Sequence, residues 1–352
     1  MKINKIISFT AAIAALLSAF GCSQNKSSQS SDEIVVNTGI DPHSIVFEWQ
    51  TSYENKLNEF KSSSAYNSKN SRFDIYDINS DGTPELIISP NTELSSLCEV
   101  YTYNDGLEKM ADIGANGTFR YLPSLSCIGY EYSGAGFIYG EYHSAVKDQS
   151  EPVITFYNNL SSAAGGAVIK YEINSTEVTL AEYENTVRTY SDSPSVSLGR
   201  KYTFGEKSMD YAVHCSQSWG AVLSDVQKDA YKKILADIIA ASPENDAAFE
   251  LVDLDGSNVP ELIVSTGFTE DCDCRVYFLN DAAVSALDSG CGQSGCFSLD
   301  VENNVFFSDG GKEMQCYSLN ETSLDKFQPS ENTIICGRSF LLTNDSVNFA
   351  FH

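Results

Sequence analysis

Two stretches of the chain match each other at a constant offset of 176 residues, and any fold must accommodate both. Phe73 to Ser89 reads FDIYDINSDGTPELIIS, and Phe249 to Ser265 reads FELVDLDGSNVPELIVS, identical at seven of seventeen positions. After eight dissimilar residues the match resumes: Cys98 to Asp105 faces Cys274 to Asp281 with five identities in eight. Chance gives about one identity in eighteen, so the repeat is internal to the chain and points to two related domains.

A helix is expected in front of each copy. Val46, Trp49, Tyr53, Leu57 and Phe60 recur at steps of three and four and form one apolar stripe. Before the second copy, Ser224-x-x-Gln227 is a capping box, followed by Tyr231, Ile234, Leu235, Ile238 and Ile239. Tyr53 aligns with Tyr231, Leu57 with Leu235 and Phe60 with Ile238. Around the repeat the chain has strand character, with Leu86-Ile87-Ile88 a short apolar run and Val100-Tyr101 in a β-favouring stretch. Further strands are expected at 118–122, 126–132, 137–142, 153–158 and 167–173, then at 303–307 and 314–318. Thr179 to Glu182 is another capping box, with Leu180, Tyr183 and Val187 behind it, and a last strand is expected before His352. The expected fold is α+β: tandem duplicated domains, each a helix packed on a meandering antiparallel β-sheet. Two motifs 176 residues apart do not make a β-propeller, which needs one every 40–60 residues or so. The divisions are 1–22 as signal, 23–44 as tether, 45–205 as the first domain with a C-terminal extension, and 206–352 as the second.

The N-terminus reads as an export signal: Lys2 and Lys5, an apolar run of 15 residues from Ile6 to Phe20, then Gly21-Cys22. That run is shorter than the ~20 residues of a spanning helix. Ala19-Phe20-Gly21-Cys22 resembles a bacterial lipobox, which implies lipidation of Cys22 and a cell membrane held through that lipid on the extracytoplasmic face. Ser23 to Gly39, rich in Ser, Gln and Asn, is too polar to fold and reads as a tether. Without Lys2 and Lys5, 20 basic residues stand against 48 acidic ones, a net −28. Such a surface repels nucleic acid and suits an exported protein that meets cations. Nine cysteines remain besides Cys22, and export makes disulfides the default. Cys98 and Cys127 are the one pair available inside the first domain, and Cys215, near the junction, is the candidate for a free thiol. The six cysteines of the second domain allow fifteen connectivities, and their spacing fits a four-thiolate zinc site poorly.

The first copy of the repeat carries Asp77-x-Asn79-x-Asp81-Gly82-x-x-Glu85. Alternate side chains on a curled loop converge, and calcium takes six to eight oxygens at about 2.3–2.6 Å. Asp77, Asn79, Asp81 and Glu85 offer side-chain oxygens and Thr83 a backbone carbonyl, with Gly82 at the left-handed position. The twelfth residue is Ile88, so this is not an EF-hand. In the second copy Asp253, Asp255 and Glu261 remain, while Ser257 replaces an acid and Asn258 the glycine, so a weaker second site is expected. The pattern resembles the turns between strands in FG-GAP and VCBS-type extracellular repeats. With the preceding helix and the lipobox, it resembles exported lipoproteins of anaerobic Clostridia and ruminococci. The resemblance covers about 33 residues in each copy and implies a Gram-positive, extracellular setting and calcium at the turn.

No nucleophile elbow, His-Glu-x-x-His or phosphate loop is present, and the four histidines are scattered. The leading expectation is therefore a membrane-anchored binding or scaffold lipoprotein with calcium-stabilised turns, whose ligand is an extracellular protein or glycan. The alternatives are the substrate-binding lipoprotein of a transporter and a cell-envelope hydrolase.

Overall fold

The computed structural model describes residues 40–351 apart from 94, 135, 147–150, 160–169, 242–246, 268–271, 281–282, 288–290, 293, 310–313 and 320–326. The signal, most of the tether and Cys22 lie outside the described residues, as do parts of the strand expected at 167–173 and of the turn after Phe307.

Helix α1 (Gln50–Lys61) leads into a four-stranded antiparallel sheet of β1 (Arg72–Tyr76), β2 (Glu85–Ser89), β3 (Cys98–Tyr103) and β4 (Leu107–Ile113). Alternation decides which face each residue serves. Phe73, Ile75, Leu86, Ile88 and Tyr101 pack under Trp49, Tyr53, Leu57 and Phe60 of the helical segment. Ile87, Cys98, Val100 and Ile113 point the other way, against a second sheet. That sheet holds β5 (Phe119–Leu122), β6 (Cys127–Gly134), β7 (Phe137–Ser144), β8 (Ile154–Asn159), β9 (Lys170–Ile173), β10 (Thr176–Glu177) and β11 (Val196–Leu198), with β11 beside β5. Helix α2 (Leu180–Ser191), capped by Thr179 and Glu182, covers its outer face through Tyr183, Val187 and Tyr190. The first half is therefore four layers: helix, sheet, sheet, helix.

The expected junction, around 205–218, is helical and runs on to 222: α3 (Glu206–Asp210), a π-helical turn (Tyr211–Cys215) and α4 (Trp219–Val222). Helix α5 (Asp225–Ala241) then precedes a sheet of β12 (Ala248–Val252), β13 (Glu261–Ser265), β14 (Cys274–Asn280), β15 (Ala283–Ala286) and β20 (Phe340–Leu341). A last sheet contains β16 (Phe297–Asp300), β17 (Val305–Asp309), β18 (Met314–Tyr317) and β19 (Thr333–Cys336). Its order, β18-β17-β16-β19, is the order of β7-β6-β5-β11 in the first half. Among the described residues no closed barrel or propeller is present.

Two sequence expectations fail at the ends. The chain finishes in helix α6 (Asn344–Ala350), not a strand, because the Thr343 hydroxyl accepts from the Ser346 N–H and starts a helix. Val46 is 81 % exposed, since α1 begins only at Gln50 and the stripe starts at Trp49.

One core runs across the boundary at 205, from Trp49 and Phe73 through Tyr202 to Phe249 and Ile334. Tyr202 bridges Phe73 on one side and Ile334 on the other. Beside it the Lys201 Nζ lies 2.6 Å from Glu250 Oε1 and donates to the Ser339 hydroxyl. Glu250 Oε2 accepts from the Gly337 N–H at 2.7 Å, and Asp74 Oδ2 accepts from the Gly199 N–H at 3.2 Å. Both glycines have positive φ, 106° and 110°, and a Cβ on either would stand 2.9 Å from a cysteine sulfur, of Cys98 or Cys274.

The described cysteines form no disulfide. Cys98 belongs to the core between the sheets and Cys127 to the core under α2, so the pair the sequence offered is separated by a sheet. Cys274 and Cys291 face each other across a β-bridge, each donating its N–H to the other's carbonyl.

Candidate functional site

The two acidic turns join β1 to β2 and β12 to β13, and each is anchored from both sides. The Tyr53 hydroxyl donates to the Pro84 carbonyl at 2.5 Å, and the Tyr231 hydroxyl to that of Pro260 at 3.0 Å. Glu85 Oε2 accepts from the Ile78 N–H at 2.8 Å, and Glu261 Oε2 from the Leu254 N–H at 2.7 Å. One oxygen of each glutamate thus has a structural task, closing the strand end beneath the turn. The other faces the loop.

In the first turn Asp77 accepts from the N–H groups of Asp81 and Gly82, at 3.2 and 3.0 Å. Asp81 Oδ1 accepts from the Thr83 N–H at 2.8 Å, so Thr83 enters the turn as a donor. Asn79 Oδ1 accepts from the Asp81 N–H at 2.9 Å, and its Nδ2 donates to Asp81 Oδ2 at 2.9 Å and to Glu85 Oε1 at 3.0 Å. The amide therefore links two carboxylates by donating to both. Asn79 Oδ1 keeps a second lone pair beyond the one that accepts from the Asp81 N–H, while it is Nδ2 that faces the carboxylates. Gly82 at φ 90° supplies the curl the sequence demanded.

The second turn has the same frame. Asp253 accepts from the N–H groups of Gly256, Ser257 and Asn258, at 2.8, 3.1 and 3.0 Å, with Asn258 at φ 63°. Asp255 takes the place of Asn79 and accepts from the Ser257 N–H at 2.9 Å. The Ser257 hydroxyl accepts from the Val259 N–H at 3.2 Å and stays within its own loop. One oxygen each of Asp253, Asp255 and Glu261 lie within 4.8 Å of one another. Among the described residues this is the one convergence of three His, Cys, Asp or Glu ligands. The sequence puts the fuller ligand set in the first turn, whereas three carboxylates converge in the second.

Electrostatics follows burial. Desolvation pushes Glu85 up to about 8, with its Ile78 N–H partner opposing. Asp77 and Asp253 are raised by burial against their backbone donors. Burial, reinforced by the charge of Asp255, drives Glu261 well above its ordinary value. Carboxylates raised in this way hold a proton or a cation, and the donors are all hard oxygens.

A second cluster escaped the sequence reading. The last residues of the expected tether are held down: His43 Nδ1 lies 3.0 Å from Asp41, and its Nε2 lies 3.1 Å from Asp210 and 3.9 Å from Cys215 Sγ. Its ring stacks on His214, which lies 2.9 Å from Glu54. The hydrogen bond with Asp210 holds His43 above its usual range. Burial pushes the Cys215 thiol up to about 12, which favours its neutral form. His43 and Asp210 are 167 residues apart, and no local pattern announces their meeting.

Comparison with protein-family models, with curated proteins and with solved structures yields no match to this chain.

Proposed function

We propose that this chain is an exported binding or scaffold lipoprotein, anchored through Cys22, whose acidic turns are stiffened by hard divalent cations of the calcium class. The observation that carries the reading is the convergence of Asp253, Asp255 and Glu261 on a frame of backbone donors. Its alternative use, general acid–base chemistry, draws no support from the surroundings of the turn. In the Cys215–His43 pair, burial favours the protonated thiol and the hydrogen bond with Asp210 favours the charged imidazole, an arrangement that does not activate the sulfur.

We further propose that the two halves are copies of one unit. Support extends well beyond the matching sequence: the tyrosine clamps on Pro84 and Pro260, the glutamates under each turn, and the acids Asp74 and Glu250 on the glycine N–H groups. The shared strand order of β7-β6-β5-β11 and β18-β17-β16-β19 adds to them. The sheets are antiparallel meanders, which favours this reading over the βαβ alternation of a transporter's binding protein.

Thermal melts in calcium and in EDTA test the cation. Calcium is expected to raise the midpoint of the wild type and to lose most of that effect in Asp253→Ala. Superimposable wild-type melts would remove the cation from the account. Cell fractionation of Cys22→Ser tests the anchor, with release from the membrane fraction expected.

A further inference from the structure

Among the described residues, one side of the long sheet of the first half carries an aromatic strip outside every hydrophobic cluster. Residues directly opposite on neighbouring antiparallel strands project to the same side. Tyr132 is opposite Tyr139, Tyr139 opposite Tyr157, and Gly134 opposite Phe137. Tyr130 is opposite Glu141, and Tyr157 opposite Glu172, so both acids share this side. The reverse side, with Ile138, Tyr142 and Phe156, is the one that α2 covers.

Near β5 the face is used, because Phe119, Tyr121 and Ile128 pack against the first sheet and Tyr130 borders them. Beyond that edge the rings continue without a core. Tyr132, Phe137, Tyr139 and Tyr157 belong to none of the hydrophobic clusters. All four are half-buried, yet they touch one another: Tyr132–Phe137 at 5.3 Å and Phe137–Tyr157 at 5.9 Å between centroids, with Tyr139 at 6.1 Å from Tyr130. A cavity of about 230 Å³ opens at one end of the strip, lined by Tyr139, Thr155, Phe156, Tyr157, Glu172 and Ser175. It is smaller than the ~300 Å³ at the lower end of drug-like pockets and is of the size for a single ring.

Among the described residues the second half has no such face. There the sheet ends at β18, and Ser308 opposite Gln315 stands where the first half has Tyr130 opposite Glu141. The rings therefore belong to the extension that distinguishes the halves, and the common framework does not require them.

We infer that this strip binds a neutral glycan, with the rings under the apolar faces of pyranoses and Glu141, Glu172 and Thr155 meeting their hydroxyls. The inference rests on the reading above of an exported binding protein and names its ligand class. Charge selects the occupant. Glu141 is engaged by His143 Nε2 at 2.6 Å and by the Tyr139 hydroxyl, and Glu172 by Lys170. The two carboxylates beside the rings are thus already engaged and present hydrogen-bond acceptors, while a third, Glu177, lies opposite Glu172 at the sheet edge. The chain's formal charge of −26 repels acidic polymers. The negative faces of tyrosine rings attract the polarised C–H groups of a sugar.

Affinity electrophoresis of the full chain tests it, through gels containing mixed-linkage β-glucan, xylan, mannan or starch, with polygalacturonate and polylysine as charged controls. At least one neutral polysaccharide is expected to retard the wild type. Tyr139→Ala and Tyr157→Ala should each weaken retardation tenfold or more, while Tyr157→Phe, which keeps the ring, preserves it and shows that the fold survives. Retardation by none of the neutral polymers, by polylysine alone, or undiminished in both alanine variants overturns the inference. The calcium melts and the fractionation of Cys22→Ser do not involve these residues, so a failure here leaves that reading distinguishable and intact.

Discussion

Replacing Glu85 by Gln tests whether the turn carboxylates are held against their own ionisation. Glu85 is wholly buried, and burial lifts it from an ordinary 4.5 to about 8. The sign is fixed by that direction. The folded protein binds the proton more tightly than the unfolded chain does, so the group's contribution is complete below its unfolded value and is lost as pH rises towards 8. Within that window each pH unit is worth about 1.4 kcal/mol per group. Between about pH 5.5 and pH 7.5, Glu85 alone then removes up to about 3 kcal/mol. For a chain of this size that lowers the melting midpoint by roughly 6 °C. Burial raises Asp74 to about 7, so it acts in the same direction and the wild type slopes more steeply than Glu85 alone predicts. The assay is circular-dichroism melting in EDTA across this range for the wild type and Glu85→Gln. The variant should have a shallower slope by the Glu85 share, because an amide does not titrate. Saturating calcium should flatten the wild type too, by stabilising the ionised turn. A wild type that melts higher as pH rises, or a variant with an unchanged slope, would refute the reasoning.

Other perturbations probe the frame. Tyr53→Phe leaves the buried Pro84 carbonyl without its donor, and Tyr231→Phe does the same to Pro260; each should cost about 1–3 kcal/mol in chemical denaturation. The loss at Tyr53 is expected to be at least as large as that at Tyr231, whose hydroxyl is shared between the Pro260 and Tyr277 carbonyls. Lys201→Met strands Glu250 among buried groups and should cost about 3–5 kcal/mol, with Glu250→Gln in that background recovering part of it. A double-mutant cycle showing no coupling between Lys201 and Glu250 would contradict the placement of that pair.

Much of the frame is legible in the sequence because it depends on local periodicity. Tyr53 and Leu57, like Tyr231 and Leu235, mark their helices by spacing alone and are fully buried. The acidic turns fall between strands because Leu86-Ile87-Ile88 and its counterpart demand burial on both faces. What stays hidden depends on partners far along the chain. Asp74 and Glu250 alternate with apolar residues, a pattern that in general belongs to an acid facing solvent. Each is instead buried against a glycine N–H, 125 and 87 residues away respectively. The ranking of the two turns depends on where the carboxylates of each curled loop point, which spacing alone does not encode. The aromatic face does have a local signature, Tyr130-x-Tyr132 and Phe137-x-Tyr139 in one hairpin. Whether such alternation faces a core or solvent is settled only by the position of α2.

Direct calcium titration by calorimetry tests the central claim most closely. The account predicts binding in the range of about 10⁻⁴–10⁻³ M expected of extracellular modules, with affinity rising with pH as protons leave the turns. At ten times the dissociation constant, each occupied site would stabilise the fold by about 1.4 kcal/mol. Asp253→Ala should abolish the tighter component and Asp77→Ala the weaker one. No calcium heat from the wild type above the neutral point, or equal binding by both alanine variants and the wild type, would contradict it.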